Sequence, residues 1–241
     1  MSKDTNARDV TIIGGGMITG MQLLPTIYHL QRSGRVGQIG ICALNSPPLK
    51  ALQADATLAR GFPGQTFTPH PDPSKVSPDD IYPDLYKEVI AEMAPRGIVV
   101  VAVPDQVHYG VVRHALEHDQ HVLTVKPLVL TYTEAVELEE LAFERGLVVG
   151  VEYHKRADSR SMMARKEYRA GRMGDFRAGQ AHLVEPYYYR HSNFQNWCTC
   201  ENSDMFTYIG CHYVDLVAFI TGLKPTAVSL FGVPTRHPNG N

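Results

Sequence analysis

The stretch "GIVVVAVPDQVHYGVVRHALEHDQHVLTVKP" (residues 97–127) decides the fold. Its first part, Gly97–Pro104, is a continuous run of mostly β-branched residues, which is typical of a strand buried on both faces. Apolar residues then recur at helical spacing, at Val107, Val111, Val112, Ala115 and Leu116. The run His121–Val125 predicts a further strand. Two strands joined by a helix predict a right-handed crossover between parallel strands.

The same alternation extends in both directions along the chain. Val10–Ile13 and Ile39–Leu44 predict strands, with a helical pattern of apolar residues between them. Downstream, a predicted helix over Thr133–Arg145 leads to a strand over Leu147–Tyr153. The proline-rich segment 46–83 has room for a helix over Leu49–Leu58 but for no long regular element. Residues 1–153 are therefore predicted to form an α/β domain with a doubly wound parallel sheet.

Residues 154–241 have a different pattern, which predicts a second domain of the α+β class. Helices are expected over Ser159–Ala170 and Phe206–Thr221, and strands over Phe176–Glu185 and Thr226–Val233. Two strands make a sheet too small to be stable alone. Either the chain is a fragment, or a partner covers those strand edges.

Composition limits the classes of partner. The formal net charge of −2 does not favour nucleic acid or an anionic membrane surface. No apolar run approaches the roughly 20 residues that span a bilayer. The polar N-terminus lacks the apolar centre of a secretory signal, so a cytoplasmic protein is expected. Cys198, Cys200 and Cys211, the last beside His212, raise the alternative of a zinc site, but without a CxxC pair we expect no metal.

The turn in "VTIIGGGMITG" (Val10–Gly20) carries the first sign of a ligand. Gly14 and Gly16 fit the first two glycines of the dinucleotide-binding pattern G-x-G-x-x-G, so the backbone from Gly16 through Met17 and Ile18 is expected to receive a pyrophosphate. Thr19 occupies the third glycine position, and Gly20 follows one residue late. We expect this departure to move the helix slightly and not to abolish binding. The alternative is a purely structural turn.

The end of the second predicted strand bears on the choice of cofactor. NAD-binding domains usually place an acid there for the ribose hydroxyls, whereas this chain has Asn45 and Ser46. Without a carboxylate to repel a 2′-phosphate, NADP becomes admissible, and Lys50 is a candidate partner for that phosphate. The choice between NAD and NADP stays open.

Four segments in order resemble the Gfo/Idh/MocA oxidoreductases: "VTIIGGGMITG", "VVVAVPDQVHYGVVRHALEHDQHVLTVKPL", "GVEYHKR" and "GCHYVDLVAFITG". The resemblance runs from residue 10 to about residue 233. It implies a Rossmann domain followed by the opening part of an open-sheet domain, with the active site between them. It also implies an NAD(P)-dependent dehydrogenase or reductase that moves hydride to or from a sugar or polyol carbon, and a homo-oligomer.

The resemblance carries over to individual residues. Lys126 matches the lysine of the family's Glu-Lys-Pro motif, in which Val125 replaces the glutamate, and it is expected near the cofactor and the substrate. The loop with Val103, Pro104 and His108 would lie near the nicotinamide and its ribose. The pattern "GCHYVD" supplies His212 and Asp215, and Tyr208 stands where inositol dehydrogenase has an aspartate.

The chemistry assigns a role to each of these groups. His212 is expected to act as general base, because an imidazole with a pKa near 6.5 is suited to proton transfer. The Lys126 ammonium would stabilise a developing alkoxide, and Asp215 would orient His212. Tyr208 can itself donate a proton.

The segment 187–204 is rich in aromatic and amide side chains, which are typical of carbohydrate sites, and His154 precedes it in the chain. The expected substrate contacts are His154, Tyr187, His191, Asn193 and Trp197. The alternative is a polar loop or an oligomer contact for the segment, and a cap on the sheet for His154. The missing glutamate, Tyr208 and the short second domain also leave open a different class of function, a dinucleotide-binding regulatory or interaction protein without turnover.

Overall fold

The computed structural model describes residues 7–184, 196–199 and 201–236. The chain divides into two compact units. The first comprises Met1–Val103 and Val107–Val151, and the second comprises Pro104–Gln106 and Glu152–Asn241. No helix in the described part of the chain combines the length and the apolar character needed to cross a bilayer.

The first unit is built around a six-stranded sheet in the order β3-β2-β1-β4-β5-β6. The pairs from β3 across to β5 are parallel, and this order confirms the predicted doubly wound Rossmann sheet. The strands are β1 Arg8–Ile13, β2 Val36–Cys42, β3 Thr68–His70, β4 Ile98–Val101, β5 His121–Val125 and β6 Val149–Glu152. The helices are α1 Leu24–Arg32, α2 Pro47–Gln53, α3 Ala56–Gly61, α4 Leu85–Ala91, α5 His108–Glu117 and α6 Tyr132–Glu144.

Strand β4 shows why the β-branched run forms the centre of the sheet. Val99 and Val101 pack into the apolar cluster under α4, α5 and α6, whereas Val100 packs into the cluster under α1 and α2. Successive side chains of a strand point to opposite faces, so only an unbroken apolar run can fill both clusters. Burial of each such side chain stabilises the fold by roughly 1.5–3 kcal/mol.

The proline-rich segment differs from the prediction in detail. The single helix expected over 49–58 is two short helices, α2 and α3, because Asp55 begins a new helix as its N-cap. The Asp55 carboxylate accepts hydrogen bonds from the backbone N–H groups of Thr57 and Leu58. Strand β3 and helix α4 were not predicted.

In the second unit, a 3₁₀ turn over His154–Ala157 leads into α7, Ser159–Arg169. A π-helical turn over Phe206–Gly210 then precedes α8, Cys211–Thr221, which packs against α7. The strands predicted over 176–185 and 226–233 are wrong for the residues that the structure describes, where both segments are exposed and irregular. A strand forms only by pairing with a neighbour, and neither segment pairs with a strand in the described residues.

Candidate functional site

The order of the strands indicates the edge of the sheet at which a ligand would bind. The strand order reverses between β1 and β4, and in such sheets ligands bind beyond the carboxyl ends of the strands at that point. The segments that follow these ends contain Gly14 after β1, Asn45 after β2, Val103 after β4 and Lys126 after β5. The topology therefore brings four of the predicted positions to one edge of the first unit.

Gly14 is required by the close approach of two backbone segments. Its φ of +115° lies in a region that residues with a side chain rarely adopt. A Cβ placed on Gly14 would lie 2.1 Å from the Ala102 carbonyl oxygen. The Gly14 N–H donates to the Cys42 carbonyl at 2.7 Å. The turn after β1 is thus packed against the segments that follow β2 and β4.

Gly16 has the opposite surroundings. A Cβ placed there would meet no atom within 4 Å, and Gly16 and Met17 are exposed. Ile18 is half-buried and packs against the apolar cluster under α1. An open backbone at the start of a helix, on the ligand-binding edge of the sheet, fits the pyrophosphate of a dinucleotide.

Thr19 does more than replace a glycine. It is fully buried, and its hydroxyl donates to the Gly14 carbonyl at 2.7 Å. The segment Thr19–Leu23 forms a π-helical turn, in which the Leu24 N–H bonds to the Thr19 carbonyl. This wide turn contains one residue more than an α-helical turn, and Gly20 is its second residue. A Cβ on Gly20 would lie 3.0 Å from Leu52 Cδ2, so the backbone packs closely against α2 here.

The segment after β2 offers amide and hydroxyl groups. Asn45 is half-buried, Ser46 is buried before the first turn of α2, and Lys50 is exposed on that helix. An amide can bond to a ribose hydroxyl without repelling a phosphate.

His108 holds two loops together. The ring is fully buried, with Nδ1 2.7 Å from the Pro127 carbonyl oxygen and Nε2 2.9 Å from the Val103 carbonyl oxygen. A neutral imidazole donates to one of these carbonyls, and the doubly protonated ring donates to both. Because its ring is fully buried, His108 fixes the backbone of the loops it joins and presents no side-chain atom to a ligand. Pro104, the next residue along the first loop, is half-buried and belongs to the second unit.

Lys126 follows β5 directly and is 9% exposed, and its peptide bond to Pro127 is cis. Lysine is among the residue types least often buried in proteins. A buried lysine at the ligand-binding edge is unusual for a purely structural position and suits a group that stabilises negative charge.

In the second unit, His212 lies in the first turn of α8 and is 2% exposed. Two aromatic rings from the chain before α7 meet it edge to face. The Tyr153 ring centroid lies 6.0 Å away and the His154 centroid 4.8 Å away. Burial raises the pKa of Tyr153 to about 12, so this phenol stays neutral.

Asp215, which is expected to orient His212, is paired with Arg156 in this structure. Both Asp215 oxygens accept hydrogen bonds from the Arg156 guanidinium, one of them from Nε at 2.8 Å. This bond raises the pKa of Arg156. Arg156 also lies over the rings of Tyr153 and Phe219, which keeps it on this face of α8. Asp215 is thus committed to an ion pair within the second unit.

The remaining predicted residues lie in or next to the segment 187–204. Tyr208, in the π-helical turn before α8, meets the half-buried Trp197 ring at 5.8 Å between centroids. Tyr187, His191 and Asn193 lie outside the described residues.

A buried group that sequence reasoning missed lies close by. Ser203 Oγ donates to the carboxylate of Asp105, and both residues are buried. The Cys198 thiol donates to the Ser203 carbonyl, whereas the Cys211 thiol lies 3.6 Å from the Tyr208 carbonyl. Within the ranges that the structure describes, no three His, Cys, Asp or Glu side chains are grouped to hold a metal ion. No sequence pattern links Asp105 to Ser203, since 98 positions separate them.

Comparison with curated proteins finds oxidoreductases. An uncharacterized oxidoreductase of Schizosaccharomyces pombe is 33% identical over 137 residues, covering 57% of this chain and 34% of that protein. An uncharacterized oxidoreductase of Bacillus subtilis is 30% identical over 171 residues, covering 67% of this chain and 42% of that protein. The chain thus spans well under half the length of these relatives.

Solved structures share the fold. Scyllo-inositol dehydrogenase from Lactobacillus casei, with bound NAD(H) and scyllo-inositol, matches with a TM-score of 0.66 at 15% identity. The match covers 90% of this chain and 56% of that one.

Residues 8–153 match the model of the GFO/IDH/MocA family, described as an oxidoreductase family with an NAD-binding Rossmann fold. This match confirms the resemblance and the predicted class of cofactor. The chain, whose first unit carries an open glycine turn and a buried lysine at the ligand-binding edge of its sheet, belongs to this oxidoreductase family.

Proposed function

We propose that this chain belongs to an NAD(P)-dependent oxidoreductase that transfers hydride between nicotinamide and a carbinol or carbonyl carbon of a sugar or polyol. The observation that carries the proposal is Lys126. It is buried and follows β5 at the same sheet edge as the open Gly16 backbone. A dinucleotide site with a buried cation beside it suits a reaction that develops negative charge on oxygen.

The cofactor would be held by groups that the structure leaves accessible. The backbone of Gly14, Gly16, Met17 and Ile18 would receive the pyrophosphate, and Asn45 would bind the adenosine ribose. Val103 and Pro104 would lie beside the nicotinamide, on the loop that His108 holds. When bound, the nicotinamide supplies or accepts the hydride, and the protein must position the substrate and move the accompanying proton.

His212 would take the hydroxyl proton, and the Lys126 ammonium would stabilise the alkoxide that develops. The buried, ring-packed setting of His212 supports this role because it limits the orientations of the imidazole. Tyr208 is a further candidate proton donor.

The substrate class is proposed from the aromatic and polar side chains of the second unit. Trp197 and His154 supply ring faces and an imidazole suited to a polyhydroxylated ring. Tyr187, His191 and Asn193 are proposed contacts in the same segment, outside the described residues. The bound scyllo-inositol of the Lactobacillus casei structure, whose fold this chain shares, supports the choice of a polyol.

The test is turnover with NAD and NADP over a panel of inositols, hexoses and hexitols. We expect reduction of one cofactor with at least one polyol in the wild type. Replacement of Lys126 by Met or of His212 by Gln should lower kcat by about 100-fold or more, as loss of a charge-stabilising group or a general base does in enzymes. Lys75→Ala is the matched control, since Lys75 is an exposed lysine paired with Asp72.

Two outcomes would change the conclusion. Cofactor binding with no turnover across the whole panel would favour the regulatory or interaction protein, which the replacement of the motif glutamate by Val125 also favours. Undiminished turnover in the Lys126 and His212 variants would reject the assigned roles.

A further inference from the structure

In the second unit the His154 ring lies against the His212 ring, and the Glu152 carboxylate lies against His154. We propose that Glu152 and His154 form a positioning pair for His212, in which the Glu152 carboxylate holds the His154 ring and His154 holds and electrostatically supports the His212 ring. This inference rests on the proposed role of His212 as the general base.

The contacts run from the Glu152 carboxylate through the His154 ring to the buried His212 ring. Both Glu152 carboxylate oxygens lie 3.3 Å from His154 Nδ1. The His154 ring then meets the His212 ring edge to face, at 4.8 Å between centroids and an interplanar angle of 68°. The His154 side chain is 45% exposed, the Glu152 side chain 23%, and His212 2%. The partly exposed pair thus brings a negative charge close to a ring that is buried.

Two other titratable groups near His212 do not supply it with a free negative charge. Asp215, three residues further along α8, is paired with Arg156. Tyr153 stays neutral because burial raises its pKa to about 12. Tyr208, Cys211 and Tyr213 are further titratable neighbours along the π-helical turn and α8. The Glu152 carboxylate is joined to His212 through one ring, that of His154.

This arrangement matters when His212 becomes charged. In the proposed oxidation, the substrate O–H bond breaks, an N–H bond forms on His212, and the hydride leaves for the nicotinamide. The imidazole then carries a positive charge in a buried position, which is unfavourable unless a negative charge lies near. The Glu152 carboxylate supplies that charge through one intervening ring. A carboxylate–imidazole contact also fixes the tautomer and the ring plane of the first histidine.

The experiment compares Glu152→Gln and His154→Gln with a matched control. Glu152→Gln keeps the shape of the side chain and removes its charge. The control is Glu167→Gln, which removes a carboxylate that pairs with Arg172 at 2.7 Å on α7. The first measurement is the pH titration of the His212 ring signals by NMR in the full chain without cofactor or substrate.

We expect Glu152→Gln to lower the midpoint of the His212 titration by about half a pH unit or more, because loss of a nearby negative charge disfavours the imidazolium. The control should leave the midpoint unchanged. With the best polyol of the panel, Glu152→Gln should lower kcat by about 10-fold and move the acidic limb of the kcat profile to lower pH, with KM little changed.

A His212 midpoint in Glu152→Gln that equals the control, or that lies higher, overturns the proposal. This result is independent of the proposed function, whose own failure would show as full turnover in the His212→Gln variant. If His154→Gln does not fold, the isosteric Glu152→Gln still decides the matter.

Discussion

Asn45 follows β2 and is half-buried at the place where an adenosine ribose would lie. An amide there can bond to the 2′-hydroxyl or tolerate a 2′-phosphate, whereas a carboxylate bonds to the hydroxyl and repels the phosphate. Lys50, exposed on the helix that follows, is the nearby cation in the sequence. The Asn45 side chain is therefore expected to determine how strongly the protein prefers NAD or NADP.

The substitution Asn45→Asp should shift that choice. We expect the ratio of the Kd for NADPH to the Kd for NADH to rise by about 10-fold or more. A 10-fold change corresponds to about 1.4 kcal/mol of repulsion between the new carboxylate and the 2′-phosphate of NADPH. Nicotinamide fluorescence on titration measures both constants. Gln53→Glu, at the exposed end of α2, adds the same charge at another point of that helix and should leave the ratio unchanged. An equal ratio in both variants would show that Asn45 does not face the ribose.

The sequence predicts which residues belong to the candidate site more readily than which groups those residues contact. The motif around His108 marked it as part of the cofactor loop, but its bonds to the Val103 and Pro127 carbonyls depend on where two separate loops meet. Asp215 is assigned to His212 because "GCHYVD" resembles a family pattern. In the structure Arg156, 59 positions earlier, pairs with that carboxylate, and a local motif contains no information about such a competitor.

At the scale of elements, the turn between β1 and α1 contains two glycines with opposite surroundings. Gly14 has a positive φ and no space for a side chain, whereas Gly16 faces open space. The two positions are two residues apart, so they form a matched pair for testing whether the turn binds a dinucleotide.

Gly14→Ala should prevent normal folding, because a Cβ 2.1 Å from a backbone oxygen forces the segments after β1 and β4 apart. Gly16→Ala should fold with a free energy of unfolding near that of the wild type, and bind NADH about 10-fold more weakly because the methyl group occupies the phosphate position. Urea denaturation and fluorescence titration provide the two measurements. If Gly16→Ala binds NADH as tightly as the wild type, the pyrophosphate does not approach this backbone.

Helices and strands could be predicted where their apolar pattern is long and their side chains are buried. The run in β4 and the helical spacing in α5 and α6 led to the right element types. The boundary between α2 and α3 was missed because one N-cap, Asp55, interrupts an otherwise continuous pattern. The strands predicted over 176–185 and 226–233 had suitable residues, but a strand also needs a paired neighbour, which a local pattern does not supply.

For the molecule as a whole, partly buried histidines make stability depend on pH. Burial, together with the charges of Arg8 and Arg96, lowers the pKa of His121 below its usual value near 6.5. The neutral ring accepts a hydrogen bond at Nδ1 from the Val148 N–H at 3.1 Å, which links β5 to the segment before β6. Burial lowers the pKa of His70 in β3 as well, although the Glu92 charge opposes this shift.

The sign of the effect follows from proton uptake. Below about pH 6.5 the unfolded chain binds a proton at His121 and the folded chain does not, so stability falls as the pH decreases toward the lowered pKa. We expect the Tm to decrease between pH 7.5 and 5.5. His121→Gln keeps an acceptor for Val148 and cannot titrate, so its Tm should decrease less over this range. His29→Gln, an exposed histidine on α1, should behave as the wild type, and an identical decrease in all three would exclude His121 as a source.

The α/β architecture could be predicted because alternating strands and helices allow few arrangements. That rule predicts the class of sheet, whereas the order of the six strands, with its reversal between β1 and β4, was not predicted, and neither was strand β3. The first unit also matches the family model, so local pattern and global fold agree there. The second unit contains less of its own regular structure in the described residues, and predictions for it depended more on resemblance than on pattern.

The π-helical turn over Thr19–Leu23 has a consequence for how such turns are found in other sequences. The turn begins at Thr19, the third position of the glycine pattern, and the Thr19 hydroxyl donates to the carbonyl of Gly14, the first position. A search that requires glycine at the third position rejects this chain, although the first two glycines are in place. A search profile that also accepts threonine at that position would retain it.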